Sequence, residues 1–277
     1  MIGIFRAEGR KLVARPAILI GFGLMIFAIV LLEYVLPNLR YSDPNYHLGK
    51  LSGADLKRLE LYPNAFLYIT LSLYWPFAGI AALLVGALSF GSEYGWSTLK
   101  TVYTQGPSRL RIVAAQFCVA VAALGVVLVL SAAAMAATSL IIVTVDGKPF
   151  SWPAGIDVLT GLAAIWLVMV CYLAIAMALA NLLRSPALAI GISLSYLLLF
   201  ELVLVTYVLR LTGALGGLNQ VVPGTSAGDL LGSLKHLEPG ERFVPTVTDP
   251  HAILVLVTWT IVCAAVSAAL VWRRDVV

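Results

Sequence analysis

One acid and three bases, Glu93, Lys100, Arg109 and Arg111, fall together in a polar insert, residues 91–111, between two long apolar runs. Glu93 and Lys100, seven residues apart, share one face of a helix. Ser108, after the Gly106-Pro107 turn, stands where the next helix needs an N-cap. Arg109 and Arg111 then fall in a first helical turn, where positive charge opposes the helix dipole. An anionic group must offset that cost: Glu93 folding back, a lipid phosphate, or acids on another protein. This is the chemistry of a docking element.

The other reactive residue types are scattered. His47, His236 and His251 lie far apart, and Cys118, Cys171 and Cys263 stand singly in apolar runs. There is no HExxH, CxxC, Walker lysine or GxSxG pattern, so no catalytic residue, metal ligand or cofactor site is expected in this chain. Two acids interrupt apolar runs: Glu33 near the end of the first, and Glu201 deep in the fifth, beside Phe200. A carboxylate at mid-span costs about 2.5–3.5 kcal/mol, so Glu201 must meet a polar cavity, a neighbouring helix or a base. It serves either as a cation or proton site or as a structural hydrogen-bond acceptor. Tyr68, Tyr74, Trp75 and Phe77 crowd the second run around Pro76, either lining a path for an apolar substrate or anchoring the helix.

The elements that hold these residues are set by composition. The chain is 61% hydrophobic and 12% charged, about half the charged share of a soluble domain. Six runs, roughly 17–36, 65–90, 112–144, 156–182, 186–210 and 251–272, are long enough to span, since a crossing takes about 20 apolar residues. They are too long and too uniformly apolar for barrel strands. The fold class expected is all-α: a polytopic membrane protein with six transmembrane helices. The run 112–144 exceeds one crossing, so it must tilt or project.

Lys and Arg set the orientation. With the N-terminus inside, the short inner segments hold ten of the 18 bases, including Arg6, Arg10, Lys11 and Arg15, against three acids. The positive-inside rule places both termini in the cytoplasm. Residues 1–15 segregate Ile2, Phe5, Leu12 and Val13 from the bases, as an interfacial helix does. No stripe for nucleic acid is present.

The outer loop 37–64 is expected to be broken by Pro37, Pro44 and Pro63, with a short capped helix over 52–60. The outer region 211–250 starts Gly-rich and apolar, then shows a stripe at Leu230, Leu231, Leu234 and Leu237. Its first part reads as re-entrant or interfacial structure packed against protein, where irregular backbone is tolerated.

The order Phe90-Gly91-Ser92-Glu93-Tyr94, Ser97-Thr98-Leu99-Lys100, Pro107-Ser108-Arg109-Leu110-Arg111 and Gln116 resembles the first cytoplasmic loop of type-2 ABC exporter permeases. The closing Trp272-Arg273-Arg274-Asp275 resembles that family's ending. The long loop 37–64 departs from its pattern. The resemblance implies a single transmembrane permease domain over 1–277, multi-pass in the inner (cytoplasmic) membrane, with broken outer helices between spans five and six. It also implies two copies of a separate ABC ATPase that binds ATP and Mg, and a second permease subunit, identical or homologous. Glu93, Tyr94, Thr98, Leu99 and Arg109 match the positions that couple to the ATPase. Spans two and five would line the substrate path, placing Tyr74, Trp75, Phe77, Phe200 and Glu201 near it. Two other classes stay open: an ATP-independent secondary transporter using Glu201, and a non-transporting membrane anchor or sensor.

Overall fold

The structure, a computed structural model, describes residues 2–49, 51–95, 108–209, 217, 220–235 and 245–273. Helix α1 (Ile2–Val13) carries the basic N-terminal segment. Pro16 then opens α2 (Pro16–Tyr41), at the helix position where a missing N–H costs nothing. Pro37 does not break the chain, as the sequence led us to expect. A π turn at Leu31–Val35 precedes it, with the Leu36 N–H reaching the Leu31 carbonyl. The wider turn accommodates the proline's missing donor, and the helix continues to Tyr41.

Beyond α2 lie a two-residue hairpin, β1 (His47–Leu48) with β2 (Leu51–Ser52), and the short helix α3 (Gly53–Glu60). Ser52 and Asp55 close a reciprocal capping box at the start of α3, so the sequence expectation of a capped helix holds. Helix α4 (Phe66–Gly95) follows. The segments Pro63–Ser72 and Phe77–Ser92 meet at 52°, and Pro76, with no N–H to give, falls at the bend.

The remaining long helices are α5 (Arg109–Val145), α6 (Gly155–Leu183), α7 (Pro186–Ser195) and α9 (Asp249–Arg273). The path of α7 runs on as a π-helix over Tyr196–Leu209. Among the described residues, five helices are long and apolar enough to cross a membrane, or six with the bent α4. This is an all-α polytopic membrane protein. At 37 residues, α5 is about 55 Å long, well beyond a hydrocarbon core of about 30 Å, so it projects. Helix α8 (Pro223–Ser233) begins before the leucine stripe, at a Val222-Pro223 start.

Helices α4 and α6 form the centre of the bundle and run in the same direction. Gly161 of α6 packs under Leu67 and Leu71, and Gly86 of α4 faces Ala176. A methyl at Gly86 would come 2.6 Å from the Ala176 Cβ, so only glycine admits this approach. Around that centre, large apolar side chains such as Phe27, Val129, Leu159 and Ile261 are exposed, as lipid-facing residues are.

Candidate functional site

The polar insert lies between the end of α4 and the start of α5. Glu93 and Tyr94 lie in the last turn of α4, with side chains outside the described residues, and Thr98 and Leu99 lie outside them altogether. Arg109 opens α5. Ser108 occupies the N-cap position with extended backbone, yet makes no side-chain cap bond, contrary to the role its type suggested.

The flanks of the insert are tied to two other elements. Gly91 packs on Pro186, the first residue of α7, and a methyl there would approach the Pro186 Cα to 2.7 Å. Phe90 is buried beside Ala189 and Met177. The end of the second span therefore bears directly on the start of the fifth. On another side, Glu8 of α1 is only 8% exposed and takes a 2.7 Å bond from Lys11 Nζ of the same helix, while Leu12 is buried in the core. Arg15 Nη1 donates to the Leu88 carbonyl at 2.7 Å. Glu8, Lys11 and Arg15 share a small cleft with Ser89 of α4 and Gln116 of α5.

Higher in the bundle, Glu201 is 1% exposed. Its carboxylate accepts from the hydroxyls of Tyr172 on α6 and Tyr196 at the π-helical start. It also accepts from the Gly224 N–H at 3.2 Å, in the first turn of α8. No side chain caps α8 from its own N-cap residue, Val222. Glu201, on another helix, takes that place and sets negative charge against the helix N-terminus. A methyl at Gly224 would stand 2.8 Å from Glu201 Oε2. Phe200 stacks on Tyr196, with centroids 5.6 Å apart, and packs on Val222.

Helix α8 is held at further points. Asp229 accepts from the Thr246 and Val247 N–H groups at 2.8 and 3.0 Å. From α9, Trp259 Nε1 donates to the Val221 carbonyl at 2.9 Å, and His251 Nε2 meets the Gln220 carbonyl at 2.9 Å.

The path residues expected from sequence separate into two places. The side chains of Tyr74 and Trp75 lie outside the described residues. Phe77 lines a groove between α2 and α4. Gly79, about 200° further round α4, faces Leu197 and Tyr172 instead. Phe200 and Glu201 are thus on the Gly79 side, away from Phe77. Sequence reading missed Tyr172, Tyr196, Gly224, Gly91 and Arg15 as partners. Apart from Tyr196, which lies on the same π-helical segment as Glu201, their contacts join segments 23 to 95 residues apart, and no local spacing signals them.

On the far side of the bundle, Lys57 Nζ pairs with Asp146 at 3.2 Å, and Tyr62 donates to the same carboxylate at 3.0 Å. Burial, and then that bond to Asp146, push the Tyr62 phenol up to about 12. Ser139 Oγ donates to the Leu61 carbonyl at 2.7 Å. The long loop after α2 is therefore fastened to α5. Among the described residues, no group of three or more His, Cys, Asp or Glu is placed to hold a metal ion.

A family model described as "ABC-2 family transporter protein" matches residues 14–276. No curated protein matches the chain.

Proposed function

The chain belongs to the ABC-2 family of transporter proteins, and from that premise we propose that it is the permease subunit of an ATP-driven exporter. ATP and Mg bind to a separate ATPase, present in two copies, and a second permease subunit completes the path. Both termini face the cytoplasm, in the inner (cytoplasmic) membrane, on the side where the bases concentrate. The insert 91–111 is the coupling element, with Glu93, Tyr94, Thr98, Leu99 and Arg109 meeting the ATPase.

The observation that supports this reading most is the contact of Gly91 with Pro186. A displacement of the insert cannot leave the start of α7 in place, because the two backbones touch. Gly79 carries the same pair of spans into contact again at Leu197, beside Tyr172 of α6 and next to Glu201. Motion of the ATPase thereby reaches spans two and five, the helices proposed to line the path at Tyr74, Trp75 and Phe200, while Phe77 faces the α2–α4 groove and Glu201 braces span five from within the bundle. Alternating access follows from a local push at one end of a packed pair.

An ATP-independent transporter using Glu201 would need that carboxylate open to an ion or to water. It is instead enclosed by three protein donors.

In the assembled complex, Glu93→Ala and Arg109→Ala should each lower substrate-coupled ATP turnover about tenfold, the loss of one charge-assisted contact. Complex yield should stay unchanged. Turnover and transport that match the unsubstituted protein would contradict the coupling role.

A further inference from the structure

We propose that the groove between α2 and α4 binds an anionic phospholipid from the leaflet bordering α1, with one acyl chain along the helices and the phosphate beside Arg15. The groove has a volume of about 380 Å³ and is walled by apolar residues alone, among them Ala17, Gly21 and Ala28 of α2 and Phe77, Leu84 and Leu88 of α4. A methyl placed on Gly21 would meet nothing within 4 Å, so the groove is open at that wall. Ala17 to Ala28, and Leu88 to Phe77, are each eleven residues apart. That is about 16 Å of helix, close to the depth of one leaflet's hydrocarbon, about 15 Å.

The α1 end of the groove is cationic. Arg15 precedes Ala17 by two residues and donates to the carbonyl of Leu88, a residue of the opposite wall. This contact fixes a guanidinium beside the α1 end of the groove, where Arg15 also lines the small cleft with Glu8, Ser89 and Gln116. Helix α1 adds Arg6, Arg10 and Lys11, with Glu8 the only acid before Pro16. Arg6 and Arg10 are exposed. An apolar slot one leaflet deep with a basic mouth matches the two halves of an anionic lipid. An uncharged hydrophobe would leave the mouth unused, and a free phosphate would leave the slot unused. A second groove, between α5 and α6, is lined by Val126, Val129, Leu159 and Trp166. Its lining holds no base, so it provides an internal control. The inference is independent of any partner ATPase.

The test uses the full chain in phosphatidylcholine vesicles, with phosphatidylglycerol or phosphatidylcholine probes bearing a photoactivatable acyl chain, and peptide mapping of the labelled sites. The phosphatidylglycerol probe should label 17–28 and 77–88 about fivefold more than the phosphatidylcholine probe, the ratio given by one base near an anionic surface. Both probes should label the α5–α6 groove equally. Gly21→Phe, which has open space to fill, should remove the labelling of the α2–α4 groove. Arg15→Gln should leave that labelling but abolish the head-group preference. Equal labelling by both probes, or an excess that survives Gly21→Phe, would overturn the proposal. So would cross-links between two copies of the chain at these walls, because a second copy would then occupy the groove.

Discussion

Glu201 accepts hydrogen bonds from groups on α6, on the π-helical segment and on α8, so its removal strands donors on three elements at once. Glu201→Ala should cost about 2–3 kcal/mol through the buried hydroxyls and the uncapped N–H left behind. Glu201→Gln, which keeps a carbonyl acceptor, should cost less. Gly224→Ala acts on the same contact by pushing the carboxylate aside. The double variant Glu201→Ala/Gly224→Ala should therefore fall short of the sum of the singles in thermal unfolding in detergent. Full additivity would show that the two residues do not share a contact. A second prediction concerns Tyr62, whose folded-state pKa is raised from 10.0 to about 12 beside Asp146. A raised value means its contribution is complete below about 10 and is lost as pH climbs from about 10 to about 12. Asp55 works in the opposite direction. Ser52 lowers its pKa, so the cap of α3 weakens as pH falls through the carboxylate range. The thermal midpoint of Tyr62→Phe should show a smaller alkaline decline than the parent. Equal declines would remove Tyr62 as the cause.

At the scale of elements, Leu12 of α1 packs into the core, and Arg15, just past the end of α1, ties the segment to the Leu88 carbonyl of α4. Arg15→Ala removes a charged donor worth about 1.5–3 kcal/mol. Amide exchange in α1 should then accelerate tenfold or more, with α6 unchanged. Unaltered protection in α1 would mean that Arg15 does not hold it. Apolar run length was legible in sequence because lipid enforces it: every spanning backbone must satisfy its own polar groups. The α3 cap was legible because Ser52 and Asp55 are three residues apart and act on each other. Pro37 misled because its effect depends on the turn before it, which took π form at Leu31–Val35. Ser108 misled because a cap residue type does not guarantee a cap bond. Glu201 could be flagged as needing partners, but the partners themselves could not be read. Tyr172 is 29 residues away and Gly224 is 23 away, and only the packed bundle brings them together.

At the scale of the molecule, the described spans form one bundle around α4 and α6, with polar fastenings at both ends. Lys57, Tyr62 and Asp146 close one end. The Arg15–Leu88 bond closes the other, beside the Gly91–Pro186 packing contact, where the insert lies. Nothing in the sequence pairs a nucleophile with a base, so the energy for transport in our account enters from outside, through residues 91–111. Purification of the full chain from its native membrane in mild detergent tests that claim most directly, by identifying what accompanies it. An ABC ATPase recovered in one-to-one ratio with this chain is the expected result. Recovery of a transport-competent chain with no ATPase, active under an imposed ion gradient alone, would contradict it.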